Sequence, residues 1–66
     1  MKLIVNDSPH EHTGDGSIPA LLAELGANPE HSAVTVNGDL VFSKVWKVFK
    51  LTDGDAIEVL TFVGGG

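Results

Sequence analysis

The sequence contains no cysteine, which removes disulfide scaffolds, thiolate zinc sites and cysteine nucleophiles from the functions open to it. That count leaves the redox compartment undecided. Arginine is also absent, and four lysines face nine carboxylates, a formal charge of -5 at neutral pH. Such a balance opposes binding to nucleic acid or to an anionic membrane and suits a basic surface on a partner protein. Long apolar runs are missing too. The opening "MKLIV" holds one short aliphatic run, far below a signal-peptide core or a membrane span, so a soluble cytoplasmic protein is expected. Length is equally restrictive: 66 residues make one domain, and folding buries only roughly 60% of the surface that an unfolded chain of this size exposes. Little room remains for an internal active site.

What is present is strongly patterned, and 42% hydrophobic residues are enough for a folded core. "MKLIV" stops at Asn6-Asp7-Ser8-Pro9, a cluster of turn formers, so residues 1–6 read as a first strand. A short polar strand is expected around His10 to Thr13, broken by "GDGS". Ser17 can then cap a helix, because its hydroxyl accepts a bond from a first-turn amide. Ile18, Leu21, Leu22 and Leu25 fall at i, i+3, i+4 and i+7, one stripe along that helix, with Pro19 in the first turn and Gly26 at the end. So short a helix is not stable alone in water, and its leucines must lie on a sheet.

"AVTVNGDLVF" alternates apolar residues around Asn37-Gly38, with Val34 and Val36 before the turn and Leu40 and Phe42 after it, a strong hairpin signal. "SKVWKVFKL" is ambiguous. Phe42, Val45, Trp46 and Phe49 keep helical spacing, while Val48 breaks the pattern and a single short turn serves as well. "TDGD" reads as a turn and "AIEVLTF" as the last strand, with Ile57 and Val59 on one face and Glu58, Leu60 and Phe62 on the other. Setting the first and last strands side by side, parallel, beneath the helix buries both aliphatic runs. The expected fold is therefore α+β, a ubiquitin-like β-grasp: a mixed five-stranded sheet in the order β-β-α-β-β-β with one main helix across one face. Residues 1–62 form this domain, and residues 63–66 form a flexible glycine-rich tail.

Few residues nominate themselves for chemistry. His10 and His12 would share a face on a strand, as a chelate requires, but the sequence fixes no third ligand and they read as solvated strand residues. No metal site is expected. His31 reads as a loop residue after the helix. Asp39, Asp53 and Asp55 occupy turn positions, where aspartate bonds the local backbone, and they receive no catalytic role. Lys44, Lys47 and Lys50 read as a solvated face. Trp46, beside Val45 and Phe49, reads as a core plug rather than a docking anchor. No nucleophile and base pair can be nominated, so the chain is not expected to be an enzyme. The closing "VGGG" has no stabilising purpose, since glycine has no side chain to pack and loses the most backbone freedom on folding.

Together "MKLIVN", "SIPALLAELG", "VTVNGD", Trp46, "LTDGDAIEVLTFVGG" and an end on glycine resemble the ThiS-type sulfur carriers of thiamine biosynthesis along almost the whole chain. Two features depart from that family: Phe42 and Ser43 stand where many members carry proline and arginine, and three glycines stand where many have two. The resemblance implies a carrier, acting as a co-substrate of partner enzymes. The Gly66 carboxylate would be adenylated by a ThiF-type adenylating enzyme, converted to a thiocarboxylate with sulfur from a persulfide-bearing donor protein, and delivered to thiazole synthase. ATP and magnesium would belong to the adenylating partner, and the carrier itself would bind no cofactor. Gly64 and Gly65 would give the clearance to thread a narrow cleft, since a four-residue extended tail reaches about 13 Å. Leu60 and Phe62, ringed by acidic side chains, would dock partners. Other readings are a carrier for another pathway, such as the small subunit of molybdopterin synthase, and a noncovalent β-grasp interaction module.

Overall fold

The computed structural model describes residues 1–62. The expected tail, residues 63–66, lies outside the described residues. The elements are β1 (Lys2–Val5), β2 (Ser8–Glu11), α1 (Ile18–Leu25), β3 (Ser32–Val36), β4 (Asp39–Val41) and β5 (Ala56–Thr61), with 3-10 turns at Pro29–His31 and Ser43–Val45. They form one mixed sheet in the order β2-β1-β5-β3-β4. β1 and β5 pair in parallel at its centre, and the other neighbours are antiparallel. This is the β-grasp arrangement expected from the two aliphatic runs. No helix among the described residues is long and apolar enough to cross a membrane.

Two tight hairpins set the registers. At the second, Asn37 (φ 52°) and Gly38 (φ 87°) both take left-handed backbone angles, the geometry that matches the twist of paired strands. The turn pairs Val36 with Asp39 and Val34 with Val41, so Val41 is the inward residue of β4. Leu40 and Phe42, the expected alternating pair, point outward instead, with 54% and 62% of their surface exposed. At the first hairpin, Asn6 (φ 48°) and Asp7 (φ 67°) do the same without a glycine. The turn is only those two residues, which corrects the expected second strand: it begins at Ser8, takes in Pro9 and ends at Glu11 rather than running from His10 to Thr13. β2 is an edge strand, where a proline without an N–H can sit.

The helix forms as its ends predict. Ser17 caps it by accepting the Ala20 N–H at 3.3 Å, and Gly26 ends it at φ 70°, with the Ala27 N–H returning to the Leu22 carbonyl. Ile18, Leu21 and Leu22 are fully buried on the sheet beside Leu3, Val34 and Ile57. The segment after β4 makes a 3-10 turn and no longer helix, so the helical spacing of Phe42, Val45, Trp46 and Phe49 does not become one apolar face. Trp46 enters the core, 5% exposed, with Phe49 packed partly buried against it, and the Trp46 Nε1–H donates to the Val41 carbonyl at 2.8 Å.

Candidate functional site

β5 is the strand that leads toward the glycine run, and side chains from both turns hold it. Asn6 lies just past β1, and its backbone N–H donates to the Ile57 carbonyl at 2.9 Å. Its side chain continues that ladder: Oδ1 accepts the Val59 N–H at 2.9 Å and Nδ2 donates to the Val59 carbonyl at 3.4 Å. Asn37 does the same at the other end and on the other side. Its N–H donates to the Ala56 carbonyl at 2.7 Å, and its Oδ1 accepts the Ala56 N–H at 2.9 Å. Its Nδ2 also donates to Asp55 Oδ1. Beyond Thr61, the Phe62 N–H donates to the His31 carbonyl at 2.6 Å, so the turn at Pro29–His31 fixes where the chain leaves the sheet.

The outer face of this half of the sheet is apolar and open. Ala33 pairs with Leu60 and Thr35 with both Leu40 and Glu58, so these side chains share a face opposite the helix. Leu60 is 60% exposed and Phe62 57%, as the strand alternation required. The acidic surround expected for them consists, on β5 itself, of Glu58, whose Oε1 accepts the Thr35 hydroxyl at 3.4 Å. Gly64, Gly65 and Gly66 fall outside the described residues.

The two histidines behave differently from expectation. His12 lies beyond β2 and its side chain is fully buried, while His10 stays on the strand, partly exposed. Both rings turn to Glu24 on α1. His10 Nε2 and His12 Nδ1 each lie 2.9 Å from Glu24 Oε1, and Oε2 accepts the Thr13 N–H, the Thr13 hydroxyl and the Gly14 N–H. The Gly16 N–H donates to His12 Nε2 at 2.9 Å. An acceptor at Nε2 places the ring hydrogen of a neutral His12 on Nδ1, aimed at the carboxylate. Both ring nitrogens are thus occupied by the chain's own groups. Burial pushes the Glu24 carboxyl up, but the bonds from His10, His12 and Thr13 outweigh it and hold its pKa at about 2. The cluster fastens the loop before α1 to the helix. Sequence reading missed Glu24, because its partners are ten to fourteen residues away and no local pattern marks it.

Two of the turn aspartates have structural partners. Asp55 accepts the Thr52 N–H, the local turn role assigned from sequence, whereas Asp53 accepts the Lys2 N–H and so ties its turn to the start of β1 instead of to its own backbone. Among the described residues a groove lies beside β1 and β2, and another lies between the end of α1, the end of β1 at Val5 and the β5 residues Val59 and Thr61. Neither sets a nucleophile beside a base among the described residues. What the surface offers is a braced strand end next to an apolar face, an arrangement suited to presenting a chain segment to another protein.

Known proteins share this fold and sequence pattern. The chain is similar over its full length, and the full length of the other, to the crystal structure of a thiamine biosynthesis protein (ThiS) from Geobacter metallireducens, with 35% identity and a TM-score of 0.80. Among curated proteins it is 33% identical over 66 residues to a thiazole synthase of Paramagnetospirillum magneticum and 36% identical over 66 residues to one of Magnetococcus marinus. In both cases all of this chain is matched but only 20% of the relative, so it spans a fifth of the length of those two proteins. Residues 3–66 match the ThiS family, and the chain belongs to that family.

Proposed function

We propose that this protein is a sulfur carrier of thiamine biosynthesis whose Gly66 carboxylate becomes a thiocarboxylate. Family membership over residues 3–66, glycine run included, is the observation that carries the reading. A free carboxylate does not exchange oxygen for sulfur, because hydroxide is a poor leaving group. A ThiF-type adenylating enzyme, using ATP and magnesium, therefore joins the carboxylate oxygen to the α-phosphorus as pyrophosphate leaves. The terminal sulfur of a donor protein's persulfide then attacks the acyl carbon and AMP departs. Cleavage of the S–S bond by a thiol leaves the thiocarboxylate, which passes sulfur to thiazole synthase. Consumption of ATP suits the cytoplasmic location expected from the sequence.

In this sequence of steps the chain contributes no catalytic side chain and acts as a co-substrate. Gly66 carries the reacting group, and Gly64 and Gly65 leave the approach free of Cβ atoms. Leu60 and Phe62 dock the partner beside the place where the tail departs, since exposed apolar residues on an open sheet face commonly mark binding sites. Similarity to one stretch of two thiazole synthases supports the choice of acceptor. The test is the intact mass of the protein after incubation with ATP, a persulfide source and a ThiF-type enzyme. Replacement of one oxygen by sulfur, lost when Gly66 is deleted, is the expected result; an unchanged mass with an active partner would reject the carrier role.

A further inference from the structure

Three of the four lysines of this chain are gathered in one stretch. From Leu40 to Thr52 the sequence holds Lys44, Lys47 and Lys50 and no carboxylate, and Lys2 is the only other lysine. Lys50 has acidic company, because its charge helps to hold the Asp15 carboxyl below its ordinary range, after the larger effect of the bonds from Ser17. Lys44 and Lys47 have none. Among the described residues the carboxylate contacts run to the Met1 amine and to the His10 and His12 rings, and none runs to a lysine. Both lysines are exposed, and apolar side chains that the fold does not bury lie between and beside them: Phe42 is 62% exposed, Val45 37% and Val48 75%. Stability does not account for these residues. Between Phe42 and Val48 Trp46 is the side chain that fills the core, and Phe42 precedes the 3-10 turn without a side-chain capping bond.

We infer that the segment from Phe42 to Val48 is a docking surface for a protein partner that presents carboxylates beside an apolar recess. Charge range selects this occupant. At long range a partner meets the net charge of -5, which disfavours a polyanion such as nucleic acid or an acidic bilayer. Within a Debye length, about 10 Å at 0.1 M salt, a docked surface meets Lys44 and Lys47 instead. An acidic partner patch is therefore attracted at this segment against an acidic remainder, which favours one orientation as well as contact. The segment also continues from β4, whose Leu40 lies on the outer apolar face, so both surfaces can meet one partner.

The choice of partner for the test rests on the carrier reading above, and the partner is the thiazole synthase of the same genome. Its binding to the full-length protein is measured at about 50 mM and about 300 mM salt, for the wild type and for variants. Lys44→Glu/Lys47→Glu should weaken binding about tenfold or more, Lys44→Gln/Lys47→Gln about threefold, and both should reduce the salt dependence. Phe42→Ser should weaken binding without changing that dependence. Trp46 fluorescence and thermal melts confirm that each variant is folded. Wild-type binding that both lysine variants leave intact would overturn the inference and leave the carrier reading standing. Wild-type binding to phosphatidylglycerol vesicles but not to the synthase would overturn it, and so would binding to neither. The mass assay decides the carrier role independently in every case.

Discussion

Replacing Glu24 by alanine should destabilise this domain more than any other change to an exposed position on its helix. The carboxylate collects five donors from four residues, His10, His12, Thr13 twice and Gly14. Four of those donors lie at exposed positions and can turn to water, so each loss costs little, about 0.5 kcal/mol or less. The fifth cannot. The side chain of His12 is fully buried, and its Nδ1 hydrogen would be left unpartnered, which costs about 1–3 kcal/mol. A total of about 1–5 kcal/mol follows, against about 3–10 kcal/mol of overall stability for a domain of this length. The midpoint of thermal unfolding should fall by about 4 °C or more, since each kcal/mol moves a domain of this size about 4–8 °C.

Thermal and urea unfolding followed by circular dichroism and Trp46 fluorescence measure this directly. Hydrogen exchange supplies a local check, because the Gly16 amide donates to His12 Nε2 and should lose protection early. Glu30→Ala, on the exposed turn after the helix, is the matched control and should stay within about 0.5 kcal/mol of wild type. A Glu24→Ala variant that also stayed within that margin would refute the argument that the loop is held through this carboxylate.

The same group gives the acid response a sign. Its pKa lies at about 2 in the folded protein against an ordinary 4.5, so its contribution is present above about pH 4.5 and is lost as pH falls toward 2; Glu11 and Asp15, also lowered, act in the same direction. Melting temperatures across that window should fall steeply for wild type and less steeply for Glu24→Ala. Gly14→Ala should disrupt the same loop by contact, because a Cβ there would lie 2.8 Å from His12 Cε1 and 2.9 Å from the Ala20 Cβ; a thermal melt unchanged from wild type would contradict this. Trp46→Phe keeps most of the core volume but removes the donor to the Val41 carbonyl, and should cost about 1–3 kcal/mol in urea unfolding followed by circular dichroism. Leu60→Ala, at a side chain already 60% exposed, should leave the melt within about 2 °C while raising the KM of adenylation several-fold.

Legibility in the sequence tracked the distance over which each signal acts. The Ser17 cap, the leucine stripe and the Asn37-Gly38 hairpin are written within a few residues, and each forms where it was expected. Asn6-Asp7 is as local, but without a glycine it resembles an ordinary loop, and the neighbouring Ser8-Pro9 drew the turn two residues too long. The buried His12 was misread for another reason: its partner lies twelve residues away on a helix face that the leucine pattern leaves unexamined. The outer face was half legible. Alternation in β5 gave Leu60 and Phe62, whereas Leu40 joins them only through the register that the hairpin imposes.

The glycine run differs from all of these, since the chemistry proposed for it uses a main-chain carboxylate and no side chain. Composition and family likeness could suggest it, but no packing or hydrogen bond of the folded body encodes the reaction. The body can only set the starting point of the tail. The two asparagines that clasp Ala56 and Val59, and the His31 carbonyl that receives the Phe62 amide, are how it does so. Residues of that kind read as turn formers in a sequence. In this fold they set the position of a strand end, and through it, in the function proposed above, the point from which the tail would be offered to a partner.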